Sequence, residues 1–300
     1  MLGALLIGVV GFAWQADVAA GERDLALQAQ RAEALQRAEA DRLAKAEAQQ
    51  RELAQRNEAK ATAINRFLLE MLGAADVRQL GRSATVAQAL DRAAAKVGSS
   101  FDQQPEVKAA IHQALAKAYL SLGLLDAARP QIDAALTASR TLFGEASAEH
   151  VRALLERGEL ERQLGKREDS LATYALALEL VRRIVPADRE LVLDVELVHA
   201  NSLRAVDRLA EAEQSFRTVL PALVEAYGPN HVQTVIARNS LAVLLQRTQR
   251  YDEAEALYRE ALAVARRRFG DDHVDALVAE MNLAGLLRDV GRETEAAPML

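Results

Sequence analysis

Residues 227–291 read YGPNHVQTVIARNSLAVLLQRTQRYDEAEALYREALAVARRRFGDDHVDALVAEMNLAGLLRDVG. Within them, YGPNHV at 227–232 returns as FGDDHV at 269–274, forty-two residues later. A fixed period of this size marks an array of helical repeats, each burying its apolar face only against its neighbours. The period runs through the chain without a slip. The aromatic or apolar site ahead of each inter-repeat loop is Phe101, Phe143, Val185, Tyr227 and Phe269. The turn inside each repeat falls at Gly81, Gly123, Gly165, Asp207, Gln249 and Gly291. Five places later comes a small residue (Ala128, Ser170, Ala212, Ala254, Ala296), and four further on Ile132, Tyr174, Phe216 and Tyr258. Another small or apolar site follows at Ala135, Ala177, Val219 and Ala261. Ahead of the turn, small residues recur at Ala116, Gly158, Ala200, Ala242 and Ala284. These offsets predict two antiparallel helices per repeat, with small residues where backbones approach and one large side chain wedged between neighbours.

Composition agrees. Half of the residues are apolar but only 4% are aromatic, and six prolines and fifteen glycines leave long helical spans uninterrupted, as an all-α solenoid requires. The net charge of −6 is interspersed along the chain and gives no support to nucleic-acid binding. A chain without cysteine has neither disulfide staples nor thiolate metal sites. Gly165-Lys166 lacks the spaced glycine and the following Ser or Thr of a phosphate loop. The five histidines (His112, His150, His199, His231, His273) form no HExxH pair; His231 and His273, one period apart, read as loop or helix-start features. Asp271–Asp272 and Asp252–Glu253 stand where a helix N-terminus attracts negative charge. The expectation is a non-catalytic chain with no cofactor and no metal.

The segments ahead of the array differ in character. Residues 1–16 hold the apolar run MLGALLIGVVGFAW, whose fourteen residues reach roughly 21 Å as a helix, short of a hydrocarbon core of about 30 Å. Three readings stay open: a membrane helix that begins upstream of Met1, a signal peptide cleaved before Gly21, or a helix docked on protein. Residues 17–62 form an Ala/Glu/Arg-rich stretch with nine acidic and eight basic residues. Its i,i+4 pairs Glu33–Arg37, Asp41–Lys45, Glu47–Arg51 and Glu52–Arg56 favour a long solvated helical stalk. Leu25, Leu27, Leu35, Leu43 and Leu53 keep no clean heptad, so a homodimer through this stalk and a lone exposed helix both remain open. Residues 63–104 read as a degenerate capping repeat, with a break at Gly73 and Asp76, Thr85 as candidate N-cap, and Val86, Leu90 and Ala93 at the repeat offsets. Residues 105–300 carry the repeats: about 105–146, 147–188, 189–230 and 231–272, then a partial unit at 273–300. Because GRETEAAPML at 291–300 enters a second helix and stops, the last unit is expected to leave an apolar face open and to fray or associate.

The stretch LAVLLQRTQRYDEAEALYREALAVARRRFGDDH resembles the forty-two-residue tetratricopeptide repeat, the form also found in kinesin light chains. The resemblance implies a right-handed helix-pair solenoid over about 105–300. The units at 147–230 depart from the pattern: Arg157, Glu161 and His199 stand where apolar residues are expected, and Pro186 replaces the loop glycine. The order GVVGFAWQA, charged stalk, NRFLLEMLGAAD, VAQALDRAA and FDQQPEVKAAIHQALAKAYLSLGLLDAA is similar to the region after the kinase domain of bacterial membrane-anchored serine/threonine kinases that carry such repeats. That similarity implies a membrane-anchored chain with extracytoplasmic repeats. No glycine-rich phosphate loop, HRD or DFG is present, so no kinase residue is carried over. A secreted or periplasmic scaffold is the alternative. In tetratricopeptide arrays the first helices line a concave groove for a peptide or partner helix. The groove candidates here are Arg162, Asn201, Arg204, Asn239, Gln246, Asn282 and Arg288. An Asn amide can bond a peptide backbone, and Arg can grip a carboxylate with two bonds.

Overall fold

A computed structural model describes residues 86–101, 103–184 and 188–299, together with residues 30, 33–45, 47–48, 51, 55, 58, 61–62 and 65–67. The expectations placed on residues 1–29 and 68–85, and on Val185 and Pro186, fall outside the described residues. Among the described residues no helix is long and apolar enough to cross a membrane. Contact clustering gives two units, Met1–Asn65 and Arg66–Leu300. In the first, residues 33–45 are helical and exposed, Leu35 and Leu43 included. Arg37 pairs with Glu33 there, and Arg51 stands 3.8 Å from Glu47.

The second unit is a run of helices. We number them α1 (Val86–Ser100), α2 (Pro105–Ser121), α3 (Leu125–Phe143), α4 (Ala148–Gln163), α5 (Arg167–Val181), α6 (Arg189–Ala205), α7 (Leu209–Tyr227), α8 (Val232–Arg247), α9 (Tyr251–Phe269), α10 (Val274–Asp289) and α11 (Glu293–Ala296), with a 3-10 turn at Ala297–Met299. Each packs against the next in sequence. The first helix of a pair also touches the first helix of the following pair, α2 on α4, α4 on α6, α6 on α8 and α8 on α10. Neighbouring second helices are joined instead by long side chains: Arg217 to Glu253 at 3.1 Å, Arg250 to Glu213 at 2.5 Å and Arg292 to Glu255 at 2.9 Å. First helices close together and second helices further apart form a curved, two-layered solenoid.

The turn inside each pair has one geometry. Gly123, Gly165, Asp207, Gln249 and Gly291 all hold a left-handed backbone, with φ between 61° and 76°. Around Gln249 the amide of Arg250 bonds the Leu245 carbonyl (2.9 Å) and that of Gln249 bonds Gln246 (3.0 Å), and the other four turns repeat this two-bond closure. Asp207 and Gln249 pay the steric cost of a Cβ in this region, and the closing bonds hold them there.

The first helices α4, α6, α8 and α10 are started by side chains. Ser147 Oγ accepts from the His150 amide, Asp188 Oδ1 from Leu191, and the Nδ1 atoms of His231 and His273 accept from Gln233 and Asp275. The two periodic histidines are therefore helix caps. His231 also stacks on Tyr227, with ring centroids 4.5 Å apart.

The core follows the predicted registers. Ala116, Ala200, Ala242 and Ala284 are fully buried, as are Ile132, Phe216 and Tyr258, with Tyr174 nearly so. Glu161, which stands at an apolar register, is buried yet satisfied, accepting from Arg157 Nε (2.9 Å) and Thr173 Oγ1 (2.7 Å). One expectation is corrected. Val86 is 63% exposed, and the buried face of α1 is Ala89, Ala93 and Val97, which every-fourth-residue spacing brings to one side. Pro130 and Pro221 sit inside α3 and α7, both exposed, each leaving one main-chain bond unmade while the helix runs on. On α10, Val274, Leu277, Val278 and Met281 are exposed, whereas Val235, one period before Leu277, is 2% exposed.

Gly158 alone among the small residues ahead of the turn lacks a Cβ, and its partner Tyr174 fills the space: a Cβ there would lie 2.4 Å from Tyr174 Cε1. Gly285, in α10, has nothing within 4 Å of that position. Gly to Ala in a helix normally gains roughly 0.5–1 kcal/mol, while overpacking a filled core costs about 1–3 kcal/mol. Chemical denaturation should therefore show opposite signs, Gly158→Ala losing about 1 kcal/mol and Gly285→Ala gaining somewhat less.

Candidate binding groove

The inner layer of first helices carries all seven groove candidates. Arg162, in the last turn of α4, is forked onto Glu159 by bonds of 2.7 and 2.6 Å, and Gln163 adds a third bond to that carboxylate at 2.7 Å. Burial alone would raise the Glu159 carboxyl, but the Arg162 and Gln163 bonds outweigh it and hold it below the ordinary range. One turn pair onward, Asn201 on α6 donates to the Leu197 carbonyl (3.0 Å), while its Oδ1 accepts from Ser240 Oγ on α8 at 2.8 Å. Asn282 on α10 donates to Asn239 Oδ1 on α8 at 3.1 Å. Gln246 donates to Asp289 Oδ2 (2.7 Å) and accepts from the buried Tyr258 hydroxyl (3.0 Å). Arg288 lies exposed on the last turn of α10.

These bonds share a spacing. Asn239 to Asn282, Gln246 to Asp289, Gln163 Nε2 to the Leu120 carbonyl and Arg247 Nη1 to the Arg204 carbonyl all span forty-three residues. They form a ladder of polar links from α2 to α4, from α6 to α8 and from α8 to α10. Four of the predicted groove residues (Asn201, Asn239, Gln246, Asn282) therefore already bond a neighbouring repeat.

Three candidates, Arg162, Asn201 and Arg204, meet around a cleft of about 720 Å³ between α4, α5, α6 and α8. Tyr174, Ile236 and Arg247 also line it. Arg247, which the sequence reading passed over, reaches back across the cleft to Asp207. Arg204 differs from the other arginines. Among the described residues its only side-chain bond is a long 3.5 Å contact from Nη2 to Asn201 Oδ1, and its Nε is shut off from solvent with no partner. Burial, and then the like charge of Arg247, push its pKa below the usual guanidinium value. The signal separating the two registers is three residues upstream. Glu159 precedes Arg162 where Asn201 precedes Arg204, so one arginine receives a carboxylate and the other an amide.

Further along the inner layer, Glu156 on α4 is set against α2. Burial raises its carboxyl to about 8, against weaker opposing effects from a Gln113 bond and the Lys117 charge, and its Oε2 has no partner. Among the described residues no group of His, Cys, Asp or Glu could hold a metal ion.

Residues 234–300 match the family model described as tetratricopeptide repeat. The array is a tetratricopeptide-like solenoid. Solved structures extend this fold over most of the chain. BtubC (BKLC) from P. vanneervenii superposes with a TM-score of 0.59 at 18% identity, covering 71% of this chain and 88% of its own. A putative kinesin light chain from Podosopora anserina, with nearly identical TPR-like repeats, gives 0.52 at 15% identity, covering 63% and 89%. A Rap protein complexed with Competence and Sporulation Factor gives 0.52 at 17% identity, covering 71% and 68%. At these identities the likeness is one of fold. No curated protein matches the chain in sequence.

Glu156 supplies a pH test of the inner layer. Its folded pKa of about 8 lies above the ordinary carboxylate value, so the folded state holds a proton that the unfolded state releases. That stability is fully present below about pH 4.5 and is lost as pH rises through 8. Thermal melts should show Glu156→Gln gaining several degrees on the wild type between pH 5 and pH 9. A constant gap would remove the buried-proton account.

Proposed function

We propose that the chain is a non-catalytic protein–protein interaction scaffold that takes a peptide or partner helix along the inner face of its first helices. The observation that carries this reading is the cleft of about 720 Å³, walled by three successive first helices and by α5, and holding a guanidinium without a counter-charge among the described residues. Concave sites with a few convergent polar groups are the usual seats of recognition. A structural neighbour of the same fold is complexed with Competence and Sporulation Factor, which supports binding as a use of such an array. The polar ladder fits this reading: residues that tie first helices together keep the inner surface rigid, which lowers the entropy lost on binding.

A second reading makes the chain the non-catalytic portion of a serine/threonine kinase, anchored by residues 1–16 with its repeats outside the cytoplasm. The order of segments over 1–128 favours it. In-frame coding sequence upstream with HRD and DFG motifs would support it; a stop codon directly before Met1 would leave a free-standing anchored or exported scaffold.

The groove itself is tested by selecting binders from a displayed random-peptide library on the full chain and following hydrogen exchange in the complexes. Protection should rise on α4, α6 and α8 and on α5, which also lines the cleft, and stay level on α7 and α9. Protection confined to second helices, or a library that yields no binder, would count against the reading.

A further inference from the structure

We propose that Arg204 anchors an acidic side chain, Asp or Glu, of the segment that occupies the groove. This rests on the groove reading and adds the chemistry of what enters. Four arginines line the cleft (Arg162, Arg167, Arg204, Arg247) against two carboxylates, Glu159 and Asp207, an excess of two positive charges. The two carboxylates are already engaged, Glu159 by the fork from Arg162 and Asp207 by Arg247. Arg167 is exposed at the start of α5. Among the described residues Arg204 is half-buried, its Nε is enclosed without an acceptor, and the one oxygen it approaches, Asn201 Oδ1, is 3.5 Å away and already bonded by Ser240 at 2.8 Å.

A cation withdrawn from water without a partner is costly, so an incoming anion gains more there than at an arginine already paired or fully solvated. A carboxylate matches the guanidinium fork. The position of the site decides between a side chain and a chain terminus. Arg204 sits on α6, with the inner layer continuing through α4 to α2 on one side and through α8 to α10 on the other. A segment lying along this face would cross Arg204 with its interior and present a side chain there.

The test uses three short probes on the full chain: a blocked peptide of alternating Ala and Glu, its Ala/Gln counterpart, and an Ala/Gln peptide with a free C-terminus. Calorimetry gives affinities, and the Arg204 Nε–H resonance, assigned by its loss in Arg204→Met, reports on the site without any variant. The blocked Glu peptide should shift that resonance and bind at least tenfold more tightly than the Gln peptide. Arg204→Met should abolish that margin, Arg204→Lys should keep part of it, and Arg129→Met on the outer helix α3 should leave it intact. Equal affinity for the Glu and Gln peptides with an unmoved resonance overturns the anchor while leaving the groove reading standing. Tight binding only by the free C-terminus overturns the choice of a side chain. Library binders that map to the groove but carry no acidic residue also refute the anchor, whereas failure to map there at all refutes the groove.

Discussion

The left-handed residue closing each first helix is the constraint on which the array depends. With φ between 61° and 76° at five positions forty-two residues apart, it reverses the chain within a few residues and returns the second helix onto the first. The two closing hydrogen bonds satisfy carbonyls that the helix end would otherwise leave bare. Once that reversal is fixed, the small residues at Ala116, Gly158, Ala200, Ala242 and Ala284 become the places where two backbones meet. Ile132, Tyr174, Phe216 and Tyr258 then become the side chains that fill the gap. Glycine makes the turn cheaply; Asp207 and Gln249 show that the surrounding bonds impose it on other residues too.

Stacking these pairs produces two unlike seams. Along the inner layer, short amides and hydroxyls bridge first helices that already touch, as Asn282 does to Asn239 and Ser240 to Asn201. Along the outer layer, Arg–Glu pairs span wider gaps between exposed second helices, as Arg217 does to Glu253. Exposed pairs of this kind contribute little each, about 0–1 kcal/mol, and weaken with salt. The apolar registers therefore carry the stability.

The period of the sequence exposed the fold because it recorded the positions where geometry allows few residue types: the turn, the small contact site and the wedge. The groove was less legible. Asn201, Asn239, Gln246 and Asn282 read one at a time as free amides, since the partner of each lies about a full repeat away and becomes a neighbour only after stacking. Arg162 and Arg204 occupy the same register and looked equivalent. What separates them, Glu159 against Asn201 one turn earlier, was written in the sequence but gains meaning only when one helical face is followed residue by residue. Val86 shows the opposite failure. The register was extended to the first residue of α1, which lies 63% exposed.

The stacked pair of Tyr227 and His231 has one more consequence. An imidazole that caps α8 by accepting the Gln233 amide at Nδ1 must carry its single ring proton on Nε2. The start of that helix thus selects a tautomer as well as a backbone turn, and leaves His231 a hydrogen-bond donor at Nε2. Anything that claims the Nδ1 lone pair, a proton or a metal ion, competes directly with the first hydrogen bond of α8.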